Sequence, residues 1–166
     1  MWSETTPDTM KSPNQKSGGK MLRLSRPVRI HQFDEYAKGV LERPLVKQLL
    51  AKHNVTQAKI PSIYSSDTCG VNIAGQTWIN VSGEADIELS SWILVAPLET
   101  KRVIRHELAH VIKHMCSIRG NSHGKGFNAV LKTVSPRTWR KDKHWYPTKK
   151  INIARKKIHP RLKQKS

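Results

Sequence analysis

The chain carries His106-Glu107-Leu108-Ala109-His110 and, further on, Ser122-His123-Gly124-Lys125-Gly126-Phe127. Two histidines four apart, with a glutamate beside the first, form the H-E-x-x-H pattern of a helical zinc site. Residues i and i+4 share one helix face, so both imidazoles can reach one ion. Glu107 is turned about 100° from His106. It can flank the ion without binding it, which suits a general base acting on water that the metal activates. A catalytic zinc site takes three protein ligands and leaves one position open. His123 is the candidate third ligand, because the helix is expected to stop near Gly120 and Asn121 and the chain can turn back. His114 competes, since it continues the i+4 series. Three ligands on successive turns of a straight helix would spread over about 12 Å at ~1.5 Å per residue. One ion with bonds of ~2 Å does not easily collect all three. His114 is therefore read as exposed or as an outer neighbour of the site, and Cys116 as a packed thiol. His31, His53, His144 and His159 lack ligand-like spacing and are read as surface residues.

The bland alternative is a helix that merely carries these side chains. The flanking residues weigh against it. Pro97 opens a helix expected to run to about Ser117, with Glu99 in the first turn complementing the dipole. Val103, Ile104, Leu108, Val111, Ile112 and Met115 give it a broad apolar surface. Titratable residues on a helix buried on several sides need a reason, and a metal supplies one.

Upstream, residues 32–53 show helical spacing, interrupted at Pro44. Residues 58–91 read as short strands: Ile60–Ser65, Gly70–Ala74, Thr77–Ser82 and Asp86–Ser90, with glycines between them. A small antiparallel meander is the expected arrangement, with Trp78 and Trp92 in the core or on a sheet face. Downstream, Lys125 to Val134 reads as a short helix with Phe127, Val130, Leu131 and Val134 on one face, ended by Pro136. The fold class is α+β.

The charge is lopsided, with 30 Lys+Arg against 12 Asp+Glu and a formal +18. Such an excess points to nucleic acid or another polyanion, against the plainer reading of a solvated tail. Residues 137–166 hold twelve Lys/Arg and one acid, Asp142, whereas residues 30–136 carry a net charge of only +3. The expected organisation is a disordered leader over residues 1–29, a domain over 30–136 and a basic tail over 137–166. Arg137, Arg140, Lys141, Lys143, Trp145, Lys149, Lys150, Arg155, Lys156 and Lys157 are the expected nucleic-acid contacts. Phosphate contacts give salt-dependent, sequence-independent affinity. Trp139, Trp145 and Tyr146 either stack on bases or anchor the tail to the domain. Cutting the chain at Pro136 is expected to weaken DNA binding and leave the metal in place. Two cysteines are too few for a disulfide framework. No apolar run approaches a ~20-residue membrane span. The expectation is a monomeric cytoplasmic protein, free or associated with nucleoid or nucleus.

The motif pair resembles the SprT-like zinc metalloprotease family, which includes bacterial SprT and eukaryotic Spartan. The family pattern is H-E-L-x-H, a spacer, then H-G-x-x-[FW]. Here twelve residues separate His110 from His123, and His123-Gly124 is followed by Phe127. The specific similarity covers about Asp86 to Val134, and a looser one reaches back to about Ile30. The resemblance implies a zincin-like fold, a small sheet beside a helical layer that includes the H-E-x-x-H helix. It implies His106, His110 and His123 as Zn²⁺ ligands, Glu107 as catalytic base, and proteolysis of DNA-bound or DNA-crosslinked proteins, as in crosslink repair. Bacterial SprT carries a cysteine zinc ribbon after the protease domain. This chain has no cysteine after Cys116, so the basic tail is the candidate substitute for DNA contact.

Two rival functions remain open from sequence. One is a non-enzymatic, basic DNA-binding protein with a structural zinc. The other is a metallohydrolase of a phage or mobile element acting on other host proteins. The second donor for a developing oxyanion is open among Tyr64, Tyr146 and His114.

Overall fold

The computed structural model describes residues 27–67, 72–144 and 148–158. Four short strands are β1 (Val28–Arg29), β2 (Ser62–Ser66), β3 (Gly75–Ile79) and β4 (Ala85–Ser90). The helices are α1 (His31–Leu41), α2 (Pro44–Lys52), α3 (Pro97–Met115), α4 (Lys125–Val134), α5 (Trp139–Lys143) and α6 (Lys149–Ile158). A 3₁₀ turn, Ser91–Val95, leads into α3. Among the described residues, no helix is long and apolar enough to cross a membrane.

The fold is α+β, with a sheet of order β1-β2-β4-β3. It is mixed, not the antiparallel meander expected: β4 runs parallel to β2, with Ser62 opposite Asp86 and Ser66 opposite Ser90. The β3–β4 hairpin is antiparallel, and β1 adds antiparallel to β2. Placing β4 in the middle protects the most apolar strand on both edges; Ile87 and Leu89 are fully buried. β3 is left at the edge. The expected strand at Gly70–Ala74 is not formed over residues 72–74, and residues 70 and 71 lie outside the described residues. The next strand ends at Ile79 and not Ser82, because Asn80 captures the turn. Its side-chain oxygen accepts from Ser82 Oγ at 2.7 Å and from the Glu84 amide at 2.9 Å.

Pro44 opens α2 at its first position, as the fixed φ of proline allows. α3 starts in the same way at Pro97. Its far end is not set by Gly120. Ser117 takes the left-handed conformation (φ 51°), its amide bonds the His114 carbonyl at 2.8 Å, and the Ile118 amide reaches the Lys113 carbonyl at 3.0 Å. These two bonds are the Schellman arrangement. It ends the helix early and sends the chain back toward the His110 face.

α3 crosses the inner face of the sheet at β3 and β4, and α4 packs against it. Ile63, Ile87 and Leu89 of the sheet meet one core with Ile104, Leu108 and Ile112 of α3 and Phe127 and Leu131 of α4. Each such side chain contributes about 1.5–3 kcal/mol by leaving water. The approach of β3 to α3 depends on a missing side chain. A Cβ at Gly75 would lie 2.6 Å from Val103 Cγ1, 3.2 Å from Leu89 Cδ2 and 3.3 Å from Glu107 Cγ.

The packed domain runs past Pro136, the boundary expected from composition. α5 packs on α3 and α4, and α6 packs on the 3₁₀ turn with Ile151 fully buried. The reason is apolar anchorage that the charge excess concealed: Trp139, Ile151, Ala154 and Ile158 all pack on the core. At the other end, Val28 and Arg29 pair with β2, just inside the expected leader; residues 1–26 lie outside the described residues.

Gly75→Ala is expected to destabilise the fold by about 1–3 kcal/mol, since the added methyl overpacks the strand–helix contact. Urea unfolding should show a lower midpoint at unchanged slope; an unchanged midpoint would count against this close approach.

Candidate metal centre

His106 and His110 project from consecutive turns of α3, and His123 comes from the loop before α4. His123 Nε2 lies 3.0 Å from His106 Nε2 and 3.1 Å from His110 Nε2. The ligand-capable atoms of the three residues all fall within 4.8 Å of one another. Phe127, fully buried, forms the floor, its ring centroid 4.9, 4.4 and 4.9 Å from those of His106, His110 and His123. The aromatic of the His-Gly-x-x-Phe stretch thus packs against all three imidazoles. A Cβ at Gly126 would stand 2.6 Å from Ile118 Cγ2, so glycine lets the start of α4 close on the loop that follows α3.

The protonated forms of all three imidazoles are disfavoured. Burial is the main cause, pushing His106 down to about 4 and His110 to about 3, with neighbouring His106, His123 and Lys113 adding to the effect on His110. His123 is also lowered, first by burial and then by Lys143 and Lys113. His106 Nδ1–H donates to the Asp142 carbonyl at 3.0 Å, which leaves the His106 Nε2 lone pair facing the other two rings. A single proton on His123 Nε2 can bridge only one of its two short gaps. The other gap is left with two ring nitrogens 3.0 or 3.1 Å apart and no proton between them, an arrangement that a cation relieves. The donor set fits a metal ion.

Glu107 lies in the same cleft and is buried. Its Oε2 accepts from Thr77 Oγ1 at 2.8 Å. Burial raises its carboxyl to about 7, against the lowering effect of the Thr77 hydrogen bond. The cleft has a volume of about 800 Å³ and is walled by Gly75, Gln76, Thr77 and Ile79 of β3 opposite His110, His114 and His123. His114 is exposed at its rim, outside the ligand cluster. Cys116 is buried, and burial raises its thiol. Tyr64 lines a separate cavity with Trp78, Asp86 and Glu88 and does not enter the cleft. Tyr146 lies outside the described residues.

One cluster escaped the sequence reading. Asp142 is buried, and Arg105 meets its carboxylate in a two-pronged contact, Nε to Oδ2 at 2.7 Å and Nη2 to Oδ1 at 2.9 Å. Arg105 Nη1 donates to Tyr36 Oη at 2.7 Å, and Thr138 Oγ1 donates to Asp142 Oδ2 at 3.1 Å. Burial acts to lower the Arg105 pKa, but the bonds to Asp142 and Tyr36 outweigh it and leave it raised. Removing either partner would strand a buried charge at a cost of about 3–5 kcal/mol. Asp142 lies beyond a cut at Pro136 and bonds His106, so such a cut would remove a contact of the metal site. Thr77 was missed as well.

Of the expected nucleic-acid contacts, Arg137, Arg140, Lys141, Lys149, Lys150, Lys156 and Lys157 are exposed. Lys143 is half-buried and shares a cavity of about 260 Å³ with His106 and Glu107. Arg155, also half-buried, reaches Asn72 Oδ1 at 3.4 Å. Trp139 anchors, packing on the core with Lys132 Nζ 4.6 Å from its ring centre and Arg140 Cζ at 5.5 Å. Trp145 and residues 159–166 lie outside the described residues.

A mixed sheet crossed by a helix that bears H-E-x-x-H, with a third histidine returned from the following loop, defines an α+β domain of the zincin type. The SprT-like family model matches residues 43–156, and the chain belongs to the SprT-like family. No curated protein and no solved structure matches the chain. Family membership suggests a metallopeptidase, in keeping with three histidines placed to hold a metal ion.

Replacing His123 by Ala is expected to weaken metal binding by more than about 100-fold, beyond the loss that follows removal of an outer orienting partner. His114→Ala should bind as wild type. Metal content after dialysis against a graded chelator separates the two, and the reverse order would make His114 the third ligand.

Proposed function

We propose that the chain is a zinc-dependent endopeptidase acting on proteins bound or crosslinked to DNA. The observation that carries this reading is the meeting of Glu107 with the three imidazoles in one cleft beside an edge strand. Zinc favours such an imidazole set: bonds of ~2.0–2.1 Å in tetrahedral geometry put ligand atoms ~3.3 Å apart, near the two short separations here. When bound, the ion polarises a carbonyl and acidifies water. A structural zinc would call for a fourth ligand, and among the described residues the cluster holds three.

The chain's own residues then do the following. β3 pairs only with β4 among the described strands, so its outer edge is open beside the cleft. An extended peptide can add to that edge through main-chain hydrogen bonds, which requires no free terminus and suits internal cleavage. Glu107 takes a proton from the attacking water as its oxygen bonds to the peptide carbonyl carbon. The same carboxyl hands the proton to the amide nitrogen as the C–N bond breaks. Thr77 holds the carboxylate in place throughout. The exposed Lys/Arg side chains of α5 and α6 supply a phosphate-binding surface.

Glu107→Gln is expected to retain zinc and lose about 10²–10⁴-fold in kcat/KM on protein substrates presented with DNA. Undiminished cleavage by this variant would remove Glu107 from the role. A zinc-loaded wild type that cuts no protein, with or without DNA, would favour the non-enzymatic reading. Charge reversal at Lys141, Lys149 and Lys150, all exposed, tests the DNA contact while leaving the Arg140 contact to Trp139 in place. Affinity should fall, and the slope of log K against log salt should flatten by about one per lost phosphate contact. An unchanged slope would place DNA binding elsewhere.

A further inference from the structure

The sequence treats Asp142 as a stray acid among twelve basic residues, yet it is the most deeply enclosed carboxylate described, with a fully buried side chain. α5 is only five residues long and ends at Lys143. The carbonyls of its last turn have no helical partner, as at any helix end. The Asp142 carbonyl finds one in His106 Nδ1–H, across 36 residues of chain. The side chain of the same residue accepts from two residues: Arg105 of α3 with both prongs, whose third nitrogen donates to Tyr36 Oη of α1, and Thr138 just before α5. One residue therefore serves the centre through its backbone while its carboxylate fixes where that backbone lies.

We propose that Asp142 is the positioning residue of the metal centre: the Arg105–Asp142 pair, closed by Tyr36 and Thr138, holds α5 so that the Asp142 carbonyl captures His106 Nδ1–H and turns Nε2 to the metal. The proposal rests on reading the three histidines as metal ligands. A neutral imidazole offers one lone pair, and a hydrogen bond at one nitrogen decides which nitrogen offers it. Partners of this kind fix ring orientation and raise ligand basicity, and their loss costs metal affinity. Arg105 is adjacent to His106 in sequence, so the guanidinium that grips Asp142 and the imidazole that bonds its carbonyl leave the same turn of α3. The two contacts form a short closed circuit, and a shift of α5 breaks both.

The test combines one spectroscopic and one binding measurement on the full chain. In zinc-loaded wild type, ¹⁵N–¹H spectra of the histidine rings should show His106 protonated at Nδ1 and metal-bound through Nε2. In Asp142→Asn and Arg105→Ala, zinc affinity by chelator competition should fall about 10–100-fold, and the protected Nδ1–H signal should weaken. Arg105→Lys keeps the charge but loses the two-pronged grip, and should recover only part of the affinity. Folded variants with wild-type affinity, or His106 bound through Nδ1, would overturn the proposal. If the variants do not fold, the nitrogen assignment in wild type decides it alone. Wild type that takes up no zinc would overturn the metal reading itself, an outcome distinct from equal affinity in all variants.

Discussion

A helix buried along most of its length has to bring two imidazoles and a carboxylate to one open cleft, and the rest of the fold answers to that requirement. α3 meets the sheet on one side and α4 on another, leaving a narrow strip that includes His106 and His110. That strip becomes a site only because the chain reverses after Ser117 and carries His123 back over it. Phe127 then fills the space beneath the three rings. The burial that packs the rings disfavours their protonated forms. The same dry surroundings raise the Glu107 carboxyl toward the range in which it can exchange protons at physiological pH.

Most of the metal centre was legible from sequence because its spacing is local. His106, Glu107 and His110 lie within five residues on a helix whose apolar pattern is plain, and His123 lies one turn of chain beyond it. The helices of residues 31–52, 97–115 and 125–134 were legible for the same reason. What sequence missed is non-local. Thr77 reaches Glu107 from thirty residues away, and a lone threonine in a strand carries no periodic signal. The mixed sheet was misread because hydrophobic alternation locates strands but does not order them. The pairing of β4 with β2 depends on which strand is most worth burying. Asp142 did leave a signal, a single acid in a strongly basic stretch, but charge counting reads such a residue as noise.

The two sides of β3 illustrate how closely the fold is drawn around the centre. Thr77 turns inward and holds Glu107, whereas Trp78, next in sequence, lies exposed on the outer face with its indole nitrogen bonded to Glu88. Strand alternation accomplishes this separation without any special geometry. Gly75, two residues before Thr77, sets how near the strand can come. The wall of the cleft and the support of its carboxylate are therefore fixed by neighbouring positions on one edge strand.

The deep seating of Asp142 also bears on how such a chain can change over time. Lysines and arginines on an exposed helix can be exchanged or moved with little effect on the fold, as long as the charge persists. A segment of that kind would ordinarily be free to be traded between proteins as an interchangeable handle. Here the handle is stitched to the centre by one carboxylate, and α6 beyond it is pinned by Ile151. The smallest unit that can be transplanted intact therefore extends through α6, and a graft taken at Pro136 would carry the motif without the residue that aims it.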